Sequence, residues 1–291
     1  MKKKILLTGA YGFLGTILSE KLEKNHYKVF KHGKKKSRDE NFNLKDYKIL
    51  KKNLDKIKPN LIINLLSLTD VDKCEKKIFE AFDLNIKVLK NFSKYLKSIN
   101  YNCRLIHIST DQVYSGTGPH LENMAKPLNN YGWTKFLGEL CIQEHQALIL
   151  RTNFVGRSET PNRHSLTDWF IKNLKKNKKI QLYKNIFFNP LEIHYLSNLI
   201  LRIMNKKIRG TFNVGSSTGL SKASFLLKIA KNLNLNIENC ATANFKAKKN
   251  TAPRPTDMIM NCKKFEKTFQ IKLPNINDQI SRICESYSNI I

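Results

Sequence analysis

Residues 8–15 read Thr8-Gly9-Ala10-Tyr11-Gly12-Phe13-Leu14-Gly15, so that glycine recurs at every third position. The run before them, 3–8, is typical of a buried strand, and the pattern over about 13–25 is typical of a helix. Glycines at such a junction permit a tight turn, close approach of a pyrophosphate and close helix–strand packing. The helix N-terminus adds free N–H groups and a dipole that favour phosphate. The stretch predicts a dinucleotide-binding unit; the alternative is an ordinary turn with packing glycines.

Strand-like and helical runs alternate beyond this unit. Further strands are predicted at 27–32, 60–67, 104–110 and 147–152, and helices at about 75–98 and 131–145. This alternation predicts an α/β fold, a Rossmann-type doubly wound parallel sheet with a smaller C-terminal substrate-binding part. We expect a nucleotide-binding domain over 1–155. The remainder, 156–291, is expected to be mainly substrate-binding, with some segments returning to the first domain.

The second half has a less regular pattern. It predicts helices at 166–176, about 195–205 and 222–233, with Ser221 as the N-cap of the last of these. Strands are predicted near 180–183 and at 211–214, and the tail 252–291 is expected to end in a helix.

Tyr131 and Lys135 are the sharpest candidates for chemistry. They are four residues apart in a predicted helix, and residues at that spacing share one face. A phenol has a pKa near 10, and a neighbouring ammonium lowers it by stabilising the phenolate. Tyr131 could then donate a proton to a nascent alkoxide as hydride arrives. The alternative is a surface tyrosine beside a surface lysine.

Ser109, Thr110 and Asp111 follow the apolar strand run about twenty residues upstream. In a doubly wound sheet the carboxyl ends of strands line the ligand crevice. Thr110 could hydrogen-bond a carbonyl oxygen, and Asp111 could accept a bond from a sugar hydroxyl. The alternative is a loop start or a helix cap, which these residue types also favour.

The segment after the second predicted strand indicates which nicotinamide cofactor is used. A site for NAD usually offers an acid to the ribose hydroxyls, whereas this chain offers cations that include Lys34 and Lys35. Cations suit a 2′-phosphate, so we expect NADPH, with NADH possible, and an NADP-binding domain over 1–155. A solvated lysine loop is the alternative.

Composition narrows the class of protein. The 291 residues carry a formal net charge of +29, but lysines and arginines are scattered and only nine of the 52 are Arg. This favours a solvated lysine surface over a nucleic-acid patch, although the positive field would attract anionic ligands.

The Lys2-Lys3-Lys4 start imitates a signal peptide, but no small-residue cleavage site follows it. No apolar run is long enough to span a membrane.

Cysteines and histidines give no metal signature. None of the six cysteines forms a C-x-x-C or pairs with a histidine at zinc spacing, which indicates reduced thiols of a cytoplasmic protein. The seven histidines show no metal spacing either, so no metal site is expected. His107 lies inside a buried-looking strand and is predicted to be a satisfied core residue.

With these motifs in place, the chain resembles the extended short-chain dehydrogenase/reductases. More narrowly, it is similar to the dTDP-4-dehydrorhamnose reductase family, which reduces 4-keto-6-deoxy nucleotide sugars. The similarity spans essentially the whole chain and lies in the segments 8–15, 64–75, 108–116, 127–139, 150–156 and 254–266. It implies an NADPH-dependent reductase acting on a nucleotide-sugar substrate in surface polysaccharide precursor synthesis, with no nucleic-acid or membrane partner and a possible homodimer.

The resemblance also implies roles for individual residues. Tyr131 would be the proton donor, Lys135 would hold the nicotinamide ribose, and Thr110 would orient the substrate carbonyl. Asp111, Asn153 and Arg254 would lie on the substrate side. The cofactor would contact the residues of the glycine turn and later segments, namely Gly9, Tyr11, Gly12, Phe13, Leu14, Gly15, Lys34, Lys35, Leu66, Ser67, Tyr131 and Lys135.

Three departures from the family pattern bear on specificity. Related dehydratases carry Thr-Asp-Glu, whereas Gln112 occupies the third position here and cannot ionise, which favours simple reduction. Leu65-Leu66-Ser67 replaces a run of alanines, and Asn153-Phe154 replaces an aromatic found in related reductases. The alternatives are an epimerase or reductase of a different nucleotide sugar, and a non-catalytic NADP-binding regulatory subunit.

Overall fold

The computed structural model describes residues 2–33, 41–143, 147–160, 163–246 and 251–288. The strands are β1 (Lys4–Thr8), β2 (Lys28–His32), β3 (Leu61–Asn64), β4 (Arg104–Thr110), β5 (Leu148–Thr152), β6 (Phe154–Val155), β7 (Ile180–Tyr183), β8 (Phe187–Phe188), β9 (Leu191–Glu192), β10 (Gly210–Val214), β11 (Leu220–Ser221) and β12 (Cys240–Ala243).

The helices lie between and after these strands. They are α1 (Phe13–Lys24), α2 (Tyr47–Ile57), α3 (Val71–Lys76), α4 (Ile78–Phe82), α5 (Val88–Ser98), α6 (Asn130–Gln143), α7 (Leu166–Lys175), α8 (Ile193–Ile203), α9 (Lys222–Asn232), α10 (Lys263–Phe269) and α11 (Ile276–Ser288). A π-helical turn, Asp83–Lys87, joins α4 to α5, and a 3-10 turn, Asp111–Val113, follows β4. No helix in the described ranges combines the length and apolarity that a membrane crossing requires.

Six parallel strands form the central sheet in the order β10-β5-β4-β3-β1-β2. One face packs on α1 and α8, and the other packs on α2, α5 and the end of α6. Helices on both faces of a parallel sheet confirm the predicted Rossmann-type doubly wound fold. Because the chain order reverses between β1 and β3, a crevice opens where the carboxyl ends of those strands diverge.

A second apolar cluster lies in the later half of the chain. Its buried members run from Val155 to Tyr287 and come mainly from α7, α9, α11 and β7. Not all of the later half belongs to this cluster, because the strand β10 pairs with β5 at the edge of the central sheet. The division of the chain near residue 155 stays a prediction.

Several element predictions need correction. The strand predicted at 60–67 ends at Asn64, and the following residues leave the sheet as a loop. The single helix predicted at 75–98 is instead α3, α4, the π-helical turn and α5. Helix α2 was not predicted. The predicted N-cap is confirmed, because the Ser221 hydroxyl accepts a hydrogen bond from Ser224 N–H at 3.1 Å.

Helix α6 is held close to the π-helical turn. The Asn85 amide donates to Thr134 Oγ1 at 3.0 Å, and its oxygen accepts from Ser67 Oγ and Leu68 N–H at 2.9 Å each. The backbone carbonyl of Asn85 lies so close to Gly138 that a Cβ there would overlap it. Gly138 thus sets how closely α6 packs against the π-helical turn. Because Tyr131 lies in the first turn of α6, this packing also positions Tyr131.

We expect Gly138→Ala to destabilise the protein by about 1–3 kcal/mol, because the new methyl would overlap the Asn85 carbonyl and push α6 outward. Helix propensity alone predicts the opposite sign, since alanine is favoured over glycine by about 1 kcal/mol in a helix. Urea unfolding measures the difference. The neighbouring variant Leu137→Ala, at an exposed position, is the control and should change stability little. An unchanged or more stable Gly138→Ala variant would refute this close packing.

Candidate active site

A cavity of about 540 Å³ opens at the carboxyl ends of the central strands. The glycine turn after β1 and the loop after β3 form one side, and the ends of β4 and β5 with the start of α6 form the other. Its position coincides with the point where the strand order reverses, which is where doubly wound sheets bind their ligands.

Most of the residues singled out from the sequence meet in this cavity. Its lining includes Gly9, Tyr11, Gly12, Phe13, Leu14, Gly15, Leu66, Ser67, Thr110, Asp111, Tyr131, Lys135 and Asn153. The predicted cofactor residues Lys34 and Lys35 lie outside the described residues. Arg254 is not part of the lining, and its guanidinium pairs with Asp72 at 2.6 Å. The roles of all these residues stay predictions.

The glycine turn has the tight geometry that its sequence predicts. Gly9 adopts a φ of +70°, a left-handed conformation that glycine takes without strain, and Gly12 N–H donates to its carbonyl at 2.9 Å. A Cβ on Gly9 would lie 2.9 Å from the Leu65 carbonyl carbon. A Cβ on Gly15 would overlap the Gly9 carbonyl. Side chains are therefore excluded at Gly9, where the turn meets the loop after β3, and at Gly15, where α1 meets the turn.

Tyr131 lies in the first turn of α6 and is almost fully buried. Burial raises its pKa, and a hydrogen bond with Thr110 offsets only part of that rise. The prediction that Lys135 lowers the pKa of Tyr131 is therefore wrong for this structure, because burial outweighs the other influences and raises that pKa. A raised pKa keeps the phenol protonated at neutral pH, which is the state that a proton donor needs.

Lys135 is also buried, with 3% of its surface exposed. Its ammonium donates to the Ile108 carbonyl at 2.8 Å and lies 3.2 Å from His107 Nε2. Burial lowers the pKa of Lys135 to about 8, against an opposing contribution from Glu139. The side chain can thus change its charge near neutral pH.

Asp111 and Asn153 are paired with each other at the ends of β4 and β5. The Asn153 amide donates to Asp111 Oδ2 at 2.6 Å. Burial raises the pKa of Asp111 to about 6, although the bonds from Asn153 and Thr110 and the charge of Lys222 oppose the rise. The pair forms a polar wall of the cavity beside Thr110.

Comparison with known proteins identifies the family. The family described as "RmlD substrate binding domain" matches residues 2–289. The chain belongs to this family. The similarity to dTDP-4-dehydrorhamnose reductases inferred from the motifs is thereby confirmed.

Individual relatives are distant but cover most of the chain. The dTDP-4-dehydrorhamnose reductase of Shigella flexneri is 28% identical over 78% of this chain and 80% of its own length. Methionine adenosyltransferase 2 subunit beta of Pongo abelii is 26% identical over 80% of this chain and 73% of its own length. The crystal structure of dTDP-4-dehydrorhamnose reductase from Bacillus anthracis in complex with NADP has a TM-score of 0.86 at 23% identity, covering 97% of this chain and 99% of that one.

In this RmlD-family chain, two cations near the site, Arg163 and Lys222, were not predicted from the sequence. Arg163 lines the cavity, and one of its guanidinium nitrogens lies 3.3 Å from where a Cβ on Gly12 would stand. Lys222, at the start of α9, is close enough to Asp111 and Arg254 that the charge of each influences its pKa. Both lie far along the chain from the residues they approach, and no local pattern marks them. Within the described residues, no cluster of His, Cys, Asp or Glu could hold a metal ion.

A buried ionic network supports the end of β4 behind the cavity. Arg151 and Glu139 form an ion pair at 2.6 Å with 2% and 0% of their side chains exposed. Glu139 also accepts from Ser109, the residue before Thr110, and Arg151 donates to Tyr114 at 2.8 Å. Tyr114 in turn donates to Asn213 at 2.6 Å. The network ties α6 to β4, β5 and β10.

Arg151→Met should destabilise the protein by about 3–5 kcal/mol, because it leaves the Glu139 carboxylate buried without its partner. The matched control is Arg254→Met, which breaks the more exposed pair with Asp72 and should change stability by less than about 1 kcal/mol. Urea denaturation gives both values. Equal effects of the two substitutions would contradict the role assigned to the buried network.

Proposed function

We propose that the protein reduces, with NADPH, the keto group of a nucleotide-linked 4-keto-6-deoxy sugar, as a dTDP-4-dehydrorhamnose reductase does. The supporting observation is that Thr110, Tyr131 and Lys135 line one cavity together with the glycine turn. A proton donor, a titratable ammonium and a phosphate-binding turn in one crevice are the parts that carbonyl reduction requires. A role in surface polysaccharide precursor synthesis is proposed from the resemblance.

The residues around the glycine turn fit a dinucleotide. The glycine turn and the first turn of α1 line the cavity, and a helix N-terminus favours phosphate. Arg163, which also lines the cavity, adds a guanidinium that can pair with phosphate. Ser67 and Leu66 lie across the cavity on the loop after β3. When bound, NADPH would supply the hydride. The preference for NADPH over NADH rests on Lys34 and Lys35.

The proposed proton transfer follows from the state of Tyr131. As the carbonyl carbon of the sugar gains the hydride, its oxygen takes the phenolic proton of Tyr131. Thr110 is hydrogen-bonded to that phenol, and its hydroxyl would have to turn from Asp111 Oδ1, to which it donates in this structure, to donate to the carbonyl oxygen. Lys135, one helical turn away, stabilises the phenolate left behind, and a solvent proton restores the phenol. Positioning and preorganised donors would supply most of the rate.

Gln112 supports reduction without elimination. It lines the cavity where related dehydratases carry a glutamate, and an amide cannot act as the acid or base that elimination needs. Its Oε1 is buried and has no hydrogen-bond partner among the described residues.

The substrate side carries the charge expected for a nucleotide diphosphate. Lys222 lies near Asp111 and near Arg254, and the Arg254 guanidinium is paired with Asp72. Neither cation lines the cavity itself, but Lys222 lies beside Asp111 of the lining, and two neighbouring cations suit a diphosphate. Breaking the partly exposed pair of Arg254 with Asp72 would cost little. The identities of the base and the sugar, and the predicted homodimer, rest on the resemblance.

A non-catalytic regulatory subunit is the second candidate, because methionine adenosyltransferase 2 subunit beta is among the relatives. A scaffold that only binds a partner has no need of a buried lysine whose charge can change. The retention of Thr110, Tyr131 and Lys135 in one cavity therefore favours the reductase.

Tyr131→Phe should reduce turnover of dTDP-4-dehydrorhamnose by about 10²–10⁴-fold, because it removes the proton donor and little volume. NADPH binding, followed by nucleotide fluorescence, should be retained. Tyr47→Phe makes the same chemical change on α2, away from the cavity, and should leave turnover unaltered. Normal turnover by Tyr131→Phe would sink the mechanism. A wild-type protein that binds NADPH but turns over no sugar nucleotide would favour the regulatory subunit.

A further inference from the structure

A row of polar side chains crosses the interior of the central sheet. Thr8 on β1 is the register partner of Asn64 on β3, and Asn64 is the register partner of His107 on β4. All three are at most 1% exposed. Strands of a parallel sheet covered on both faces are normally apolar, and the same face holds Leu6, Ile62 and Leu105 one pleat earlier. Such a row calls for an explanation.

The row is continuously hydrogen-bonded and ends at Lys135. Thr8 Oγ1 lies 2.6 Å from Asn64 Oδ1, and Asn64 Nδ2 lies 3.0 Å from His107 Nδ1. The other imidazole nitrogen, Nε2, lies 3.2 Å from Lys135 Nζ. The row therefore reaches the buried lysine from inside the sheet, through residues that do not line the cavity.

Few charged groups influence this pair. Lys135 is faced by His107 from β4, with Tyr131 one turn earlier and Glu139 one turn later on its own helix. Burial and the charge of Lys135 hold the pKa of His107 well below its usual value. The imidazole is consequently neutral and carries one proton, either on Nδ1 or on Nε2.

Proton counting links that tautomer to the charge of Lys135. An ammonium has three donors and no acceptor, so Nε2 must then accept and the imidazole proton must lie on Nδ1. Asn64 must in that case present its Oδ1 to Nδ1–H. In this structure Asn64 Nδ2 lies next to His107 Nδ1, which is the orientation for the opposite case: Nδ1 would accept, and Nε2–H would donate to the lone pair of an uncharged amine. The two charge states of Lys135 thus call for opposite orientations of the Asn64 amide, related by a half-turn.

We propose that Thr8, Asn64 and His107 form a positioning row that fixes Lys135 and changes its hydrogen-bond arrangement when Lys135 gains or loses its proton. The proposal rests on the proposed function for its catalytic meaning, but the coupling itself does not require turnover. In the charged state, Ile108 O and His107 Nε2 hold two of the three ammonium N–H groups, which directs the third into the cavity.

The coupling can be tested by nuclear magnetic resonance of protein labelled with ¹⁵N in histidine. We expect His107 to change from the Nδ1–H to the Nε2–H tautomer as the pH rises through the pKa of Lys135, about 8. The His107→Leu variant assigns the signals. In Lys135→Met, which keeps the side-chain length without a titratable group, the His107 tautomer should be constant over the same pH range. A constant tautomer in the wild type would overturn the proposal.

Kinetics supply a second readout. The His107→Leu substitution removes the acceptor and destabilises the ammonium. The upper pH at which kcat begins to fall should therefore decrease by about one unit, which is a tenfold change in proton affinity. In His107→Gln the amide oxygen can replace Nε2 as an acceptor, so kcat should fall at the same pH as in the wild type. If His107 had a purely structural role, its substitution would lower thermal stability without changing the pH at which kcat falls. That result would refute the positioning role. Tautomer exchange in a wild type without turnover would support the row and reject the reductase.

Discussion

Burial of the Lys135 ammonium is the constraint on which the site depends. A charge removed from water must be met by hydrogen-bond acceptors, and Lys135 finds them in the Ile108 carbonyl and His107. Both acceptors belong to β4, so α6 must lie close against that strand. The contact between Gly138 and the Asn85 carbonyl, and the bond between Asn85 and Thr134, keep it at that depth. The same placement brings Tyr131 to Thr110 at the end of β4.

A second buried charge one helical turn further on strengthens this arrangement. Glu139 pairs with Arg151 on β5 and accepts from Ser109, so α6 is attached to two neighbouring strands by charged groups. Its charge also opposes the loss of the proton from Lys135. Packing and electrostatics are therefore joined: the residues that anchor the helix also set the proton affinity of the lysine at the cavity.

The sequence predicts those parts of the site that depend on local patterns. The glycine spacing specifies the turn, the four-residue spacing places Tyr131 and Lys135 on one helix, and the parallel sheet brings Thr110, Asp111 and Asn153 to one edge. The α/β alternation likewise predicts the doubly wound sheet. His107 was expected to be a satisfied core residue, and its burial and bonds confirm that expectation. Its contact with Lys135 depends on how deeply α6 packs, which no local pattern encodes.

The remaining differences have identifiable causes. Helix α2 was overlooked although Leu50, Leu54 and Ile57 recur at helical spacing, because lysines dominate the segment between them. The break of the long helix at the π-helical turn follows from Asn85 turning inward to bond the loop after β3, a long-range contact. Arg163 and Lys222 approach the site through tertiary packing alone. Arg254 was assigned to substrate from the resemblance, and its pairing with Asp72 could not be read from spacing.

The most direct test of the proposed reductase is to follow the hydride itself. The protein would be incubated with dTDP-4-dehydrorhamnose and NADPH that carries deuterium at nicotinamide C4, and the product would be examined by nuclear magnetic resonance. We expect deuterium on carbon 4 of the sugar, in an amount equal to the NADPH consumed. A sugar nucleotide recovered without deuterium while NADPH remains bound and unoxidised would contradict a reductase that acts through Tyr131 and Lys135.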